Sequence, residues 1–588
     1  VKVLLVFPPH WHPLMPHLAL PALTAHLQAN GVEVIQRDLN VEIFDRVLTS
    51  THLRATLRRL RKEEKRVPLK GLNAALQQAN LEAIAWAKRE GQRIVADIDQ
   101  AKATMHSERF FDVSAGREAL LTLADGLMLA SIPFFPSEFG ITGYRSAYPI
   151  DISQAIRAAT QDTHFNFFRN LLETTIIPQI RDEKPDVVGI SLTSSEQIVA
   201  AFTLASLIKE AGLSTHVTLG GKLITGWHEL LPKAEILWEL FNSAIAFEGE
   251  VALLGLIKAL DGAPDGEADL STVPNLMYHD GSGVRVNGFK EPEPTECLPI
   301  PSFDGLPLDS YLTPARVLPV WASRGCYWGR CAFCNVGYGE SKHFDELRAE
   351  RVVEEMTTLS EAYNTDKFFF ADEALTPRML RALSSLLIER GTSFSWATCA
   401  RCEPGITADL LKQMRRAGCR LLSFGIESGS QRVLDRMDKG TNLETMQRIL
   451  RDSAAAGIWN HTFLFFGFPG ETEQDARETI EFFRANRGVI HSISSSTFLL
   501  ERYARAFKDP EAYDISRIRP PGPQQDLAYY FEYEVSSGIS SRRAEEIEAA
   551  FVNSLPDKPD PQFYVHEVYQ FLYASSFADG EPLPTMLG

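Results

Sequence analysis

Short apolar runs alternate with amphipathic stretches over residues 1–260. KVLLVF (residues 2–7) predicts a buried strand, LPALTAHLQANG a helix, and VEVIQRD a second strand. DVVGISL (186–192) resumes the alternation. A helix ending near Gly212, the strands HVTLGG and SAIAF, and a further helix follow. Apolar runs of this length between helices predict a parallel, doubly wound, Rossmann-like α/β sheet. Such sheets bind ligands at the carboxyl ends of their strands. The stretch from about 47 to 180 reads as helical and is too long for a connection, so it predicts a helical layer of its own.

Residues 261–315 are rich in Pro, Gly and Asp and read as a connector, with a hairpin at NLMYHDGSGVRVNG. A second alternation fills residues 316–500. VLPVWAS, KFFFA, FSWATC, CRLLSFG, HTFLFFG and VIHSISSSTF are its strands, with helical segments between them. These six strands predict a partial (β/α)6 barrel, with chemistry at the strands' carboxyl ends. Residues 501–588 are helical, aromatic and irregular, and predict a C-terminal cap.

Composition narrows the class. With 588 residues, 45% hydrophobic and 23% charged, the chain reads as globular with several cores. No apolar run reaches the length of a membrane span, and VKVLLVFPP lacks the flanks of a signal peptide. A net charge of −17 disfavours nonspecific nucleic-acid binding. The basic stretch at residues 52–66 has a leucine stripe at 53, 57 and 60, which predicts a solvated amphipathic helix. Seven cysteines, odd in number and unevenly spaced, fit a reducing, cytoplasmic setting better than a disulfide framework.

Three of those cysteines lie within SRGCYWGRCAFCNVG (323–337): Cys326, Cys331 and Cys334. Three thiolates can hold three irons of a [4Fe-4S] cluster and leave the fourth iron open to a ligand. A zinc half-site would need another ligand, and the nearest histidine, His343, is nine residues beyond Cys334. Three buried free thiols in one Gly-rich loop would make a poor core.

With Phe333 before the last cysteine, this motif resembles that of the radical S-adenosylmethionine (SAM) superfamily, although its first gap holds four residues where the family pattern has three. The resemblance implies that the open iron chelates SAM, which is cleaved to a 5′-deoxyadenosyl radical. It also implies roles at the following strand ends. Asp372 and Glu373 in FFFADE would meet the SAM ammonium, and Arg401 in ATCAR the carboxylate. Glu427 and Ser428 in SFGIESGS would meet ribose and polar groups, and Gly467 and Pro469 in GFPGE the adenine. Cys399 and Cys402, with Cys297 and Cys419, could ligate an auxiliary cluster, but Cys419 enters its strand at the rim opposite Cys399. Buried thiols are therefore the preferred reading.

The sheet ahead of this barrel resembles the cobalamin-binding subgroup of the same superfamily. GISLT and LGGK would open a slot for the cobalamin tail, with Ser191, Thr193, Gly220 and Gly221 lining it and Glu248 of EGE after the last strand. Where related cobalamin domains place a cobalt-ligating histidine, this chain has Asn40, which predicts no histidine beneath the cobalt. The resemblance implies a C-methyltransferase that uses methylcobalamin on a natural-product or peptide substrate, with flavodoxin or ferredoxin as electron donor. Radical cyclisation or rearrangement is the enzymatic alternative. A non-catalytic cofactor sensor or electron carrier is the other.

Overall fold

The computed structural model describes residues 1–63, 73–262, 268–336, 344–555 and 566–585. His343, Gly337, the end of the basic stretch and most of DGAPDG lie outside the described residues. The chain divides into two compact units. One comprises residues 1–293, 298–314 and 522–528; the other comprises 294–297, 315–521 and 529–588.

The first unit is built on a seven-stranded sheet. Its strands are β1 (Lys2–Phe7), β2 (Glu33–Asp38), β3 (Val187–Ser191), β4 (His216–Gly220), β5 (Ser243–Ile245), β6 (Leu276–His279) and β7 (Val284–Val286), in the order β2-β1-β3-β4-β5-β6-β7. The first five run parallel, as continuous apolar runs predict for strands covered on both faces. Every residue of β3 is buried. The hairpin expected in the connector instead pairs antiparallel with β5 and forms the sheet's edge. Its turn is set by Asp280, whose carboxylate accepts from the amides of Ser282 (2.9 Å) and Gly283 (3.1 Å).

The long interruption is helical, as its sequence predicts: Ser50–Glu63, Ala74–Met105, Val113–Ser131, Ser153–Gln161 and Arg169–Glu183, with a small hairpin at 138–145. In the first of these helices Leu53 and Leu57 are buried beneath an arginine-rich face. Residues 522–528 reach this layer too. Asp526 accepts from Ser153 N (2.8 Å), and Leu527 N donates to Asp151 O (3.0 Å).

The second unit holds a six-stranded, all-parallel sheet in sequential order. Its strands are β8 (Val317–Val320), β9 (Lys367–Phe370), β10 (Ser395–Ala400), β11 (Cys419–Glu427), β12 (Trp459–Phe466) and β13 (Ser492–Thr497). Polar caps start the intervening helices. Thr376 accepts from Met379 N, Thr407 from Leu410 N, Asn442 from Thr445 N and Thr472 from Asp475 N. Each cap satisfies an amide that the first helical turn leaves without a partner.

Alternation along the strands separates two faces. The Asn460 amide donates to Leu450 O in the outer helix Leu443–Ala455, whereas its neighbour His461 lies on the other side beside Glu567. That inner side is plugged by the helix Glu567–Ser575, whose Phe571 meets Phe369 edge-on at 6.2 Å. Part of the region after residue 500 therefore packs inside the second unit's sheet.

Candidate functional site

The three-cysteine loop is held by backbone on two sides. Ala332 N donates to Met437 O (2.8 Å), and Ala506 N donates to Ala332 O (3.0 Å). Trp328 anchors the middle through Nε1–H to Asp438 O (2.7 Å), and its ring lies against Gly440. A Cβ at Gly440 would stand 2.1 Å from that ring, and φ there is +69°, so both space and backbone demand glycine. Tyr327 donates to Glu403 (2.5 Å), and Phe333 meets Phe465 edge-on at 5.1 Å.

Cys326, Cys331 and Cys334 lie within electrostatic reach of one another. Among the described residues, no three His, Cys, Asp or Glu side chains are gathered into a ready metal cage. Burial pushes the Cys334 thiol up to about 12. Burial also raises Cys331, but Lys439 and Arg401 oppose it. Two cations facing a thiol suit a site that would carry several thiolates and an anionic iron–sulfur cluster.

Both cations are fixed in place. Arg401 is buried, donates through Nη2 to Lys439 O (2.6 Å), and lies 4.4 Å over the Trp328 ring. Its Nε has no hydrogen-bond partner, which leaves a buried donor for a ligand at this strand end. Lys439 donates to Glu427 (2.7 Å). Burial pulls this ammonium down, but Glu427 and Cys331 outweigh it and hold it above its ordinary value. Glu427 sits at φ +63°, next to a register shift between β11 and β12. A Cβ at Gly425 would come within 2.4 Å of Glu427 Oε1 and 2.7 Å of Lys439 Nζ, so glycine there makes room for the pair.

The other expected SAM-binding positions fall at the same strand ends with varied surroundings. Asp372 is buried and accepts from Ala322 N (2.9 Å) and Ser323 Oγ (2.6 Å), which fixes the start of the cysteine loop. Burial pushes its carboxyl up to about 7. Glu373 beside it is exposed. Ser428 Oγ is 3.0 Å from Thr479 Oγ1 in a buried hydroxyl pair. Gly467 has φ +89° and donates to the Glu471 carboxylate, and Pro469 O accepts from Arg436 (3.3 Å). All seven cysteines are free thiols. Cys402 and Cys419 are buried and Cys297 is exposed. Cys419 pairs with Trp396 at one end of the β10–β11 ladder, and Cys399 pairs with Ser423 further along.

In the first unit, β3 and β4 end side by side, with Ser191 paired to Gly220. A Cβ at Gly220 would meet only Ile245 O at 3.8 Å, so a slot is open above it. At Gly221, with φ +102°, a Cβ would stand 2.4 Å from Leu192 O. Thr193 N donates to Gln197 (2.7 Å), and its hydroxyl is 3.4 Å from His17 Nε2. Asn40 is buried and its Oδ1 accepts from Trp11 N (2.9 Å), so it braces the loop after β1. Glu248 is half-buried in the turn between β5 and the helix Glu250–Asp261. This set fits a flat nucleotide tail: two glycines and two hydroxyls line the Ser191–Gly220 step.

Sequence reasoning missed Lys439, Trp328 as a cradle for Arg401, and His17. Lys439 is twelve residues beyond Glu427, on the far side of a helix, and carries no motif. Its one local signal is DKGT, a lysine before a positive-φ glycine. His17 stacks on Phe7 at 4.7 Å, and burial pulls it down to about 4.

The Radical SAM superfamily model matches residues 322–483. An uncharacterized methyltransferase, PH0819 of Pyrococcus horikoshii, is 30% identical over 312 residues, which are 52% of this chain and 65% of the relative. The chain thus spans less than two thirds of that relative's length. Among solved structures, the cobalamin-dependent SAM radical enzyme OxsB, with aqua-cobalamin and SAM bound, is similar with a TM-score of 0.58 and 16% identity, over 93% of this chain and 66% of that one. The radical SAM methyltransferase TsrM of Kitasatospora setae, with cobalamin and a [4Fe-4S] cluster, has a TM-score of 0.57 and 16% identity, covering 96% and 92%. At this identity the likeness is one of fold.

Proposed function

We infer that this chain, whose residues 322–483 match the Radical SAM superfamily model, is a cobalamin-dependent enzyme that methylates carbon in a small-molecule or peptide substrate. The observation that carries this reading is the thiol loop facing Arg401 and Lys439, in a chain whose first sheet ends in an open Ser191–Gly220 step. The methyltransferase name of the Pyrococcus relative favours methyl transfer over rearrangement.

Cys326, Cys331 and Cys334 would hold the cluster, and Ser191, Thr193, Gly220 and Gly221 the cobalamin tail. When bound, cluster and SAM supply electron transfer and hydrogen abstraction, and cobalamin a transferable methyl group. The protein's own share is placement and charge. Arg401 offers its open Nε to a carboxylate, and the Glu427–Lys439 pair keeps a cation beside Cys331 without leaving it uncompensated. Asp372 ties the loop's first residues to the end of β9. Electrons would come from a flavodoxin- or ferredoxin-type donor. Among the described residues, no helix is long and apolar enough to cross a membrane.

Anaerobic reconstitution with iron, sulfide and hydroxocobalamin tests the assignment. About four irons and about one cobalamin per chain are expected after desalting. A preparation that retains iron but no cobalamin would remove the methyl-transfer reading.

A further inference from the structure

Glu567 opens the helix that plugs the inner side of the second sheet. Its carboxylate accepts from Ser423 Oγ on β11 (2.7 Å) and lies 3.7 Å from His461 Nε2 on β12. His461 is fully buried, with Nδ1 2.8 Å from Ser492 Oγ and Nε2 3.2 Å from Ser494 Oγ. Burial pulls this imidazole down to about 3, so it is neutral. Among the described residues, no lysine or arginine pairs with Glu567. Lys439, whose charge reaches Cys399, is already paired with Glu427. The remaining charges that Cys399 feels are acidic, from Glu567, Glu373 and Asp372.

The plugging helix leaves part of the inner face accessible. Cys399 and Phe463 are partly exposed although their strands lie inside the sheet, and Ser494 on the edge strand β13 is partly exposed as well. Glu567 keeps 24% of its side-chain surface. A carboxylate with one hydroxyl partner, a neutral imidazole and access to space lacks only a counter-ion. Burial holds its carboxyl above the ordinary carboxylate range, the direction expected where that cation is missing. The start of a helix favours a negative charge but supplies no partner.

We propose that Glu567 anchors a protonated amine of the substrate inside the barrel, with Phe463 packing on its apolar part and Ser423 and His461 holding the carboxylate in place. This rests on the enzymatic reading above and narrows its substrate to an amine-bearing class.

The test uses reconstituted holoenzyme, with benzylamine and its neutral analogue benzyl alcohol as probes in ligand-observed NMR. Wild type should prefer the amine. Glu567→Gln, which keeps an acceptor for Ser423, should weaken amine binding about tenfold or more, the scale of one charge-assisted hydrogen bond, and leave the alcohol unchanged. No amine preference in wild type, or equal amine binding in both proteins, overturns the proposal. If Glu567→Gln does not fold, Glu567→Asp against Glu567→Asn repeats the comparison, and only the aspartate should retain the preference. SAM cleavage by the same preparations reads the parent assignment separately. Cleavage without amine preference overturns the anchor alone, and amine preference without cleavage overturns the enzyme reading alone.

Discussion

Lys439 Nζ and Glu427 Oε1 lie 2.7 Å apart in a buried ion pair beside the Cys331 thiol. Taking either charge away leaves the other desolvated and alone, whereas taking both away leaves a neutral gap. Glu427→Gln should therefore cost about 3–5 kcal/mol of stability, and the double variant Glu427→Gln/Lys439→Met markedly less. Denaturant unfolding checks this. SAM affinity separates the second role: it should fall in the double variant too, by about 1.5–3 kcal/mol, if Glu427 also meets the ligand. Unchanged affinity would make the pair purely structural.

Asp372 gives a pH signature. Its carboxyl rises from 3.8 to about 7 on folding because burial disfavours its charged form. Between those values the folded state binds more protons than the unfolded one, so this group's contribution to stability falls as pH rises through the window. Asp372→Asn, whose amide oxygen can accept from Ala322 N, removes that slope. Its melting temperature relative to wild type should be higher at pH 8 than at pH 5. A constant difference would place the charge elsewhere.

The thiols make a separable prediction. Replacing Cys326, Cys331 and Cys334 with alanine should abolish cluster absorbance and SAM cleavage. Replacing Cys399 and Cys402 should leave iron unchanged. Loss of about half the iron in the second variant would reveal an additional cluster.

Adjacent glycines distinguish ligand space from backbone need. A Cβ at Gly220 has room, so Gly220→Val should fold, keep its iron and lose cobalamin. Gly221→Val collides with Leu192 and is strained at φ +102°, so it should lower soluble yield. In wild type, the Co(II) resonance should lack a strong axial-nitrogen pattern, because the expected histidine position is Asn40 and its oxygen braces Trp11.

The alternation of apolar runs was enough to reveal both sheets, because parallel strands covered on both faces are largely apolar and their helices carry polar caps. The cysteine loop was legible because its residues are contiguous. Lys439 was not, since its meaning comes from Gly425 leaving room on a strand and Trp328 covering Gly440, contacts that span up to 112 residues. Glu567 was hidden for the same reason: EVYQFLYAS reads as any apolar helix, and only the fold sets its first carboxylate against Ser423, 144 residues earlier. The NLMYHDGSGVRVNG hairpin was recognised as a hairpin, but its pairing to β5 has no local signal.

If the thiol loop and the Ser191–Gly220 step serve one methyl-transfer enzyme, both halves of its chemistry should appear together in its products. The most direct measurement supplies reconstituted holoenzyme with SAM and a low-potential reductant under anaerobic conditions and quantifies the products by mass spectrometry. The account predicts both 5′-deoxyadenosine and S-adenosylhomocysteine from wild type, with the homocysteine product lost in Gly220→Val. Deoxyadenosine alone from wild type, with cobalamin bound, would contradict methyl transfer, and the absence of both products would contradict the radical SAM assignment itself.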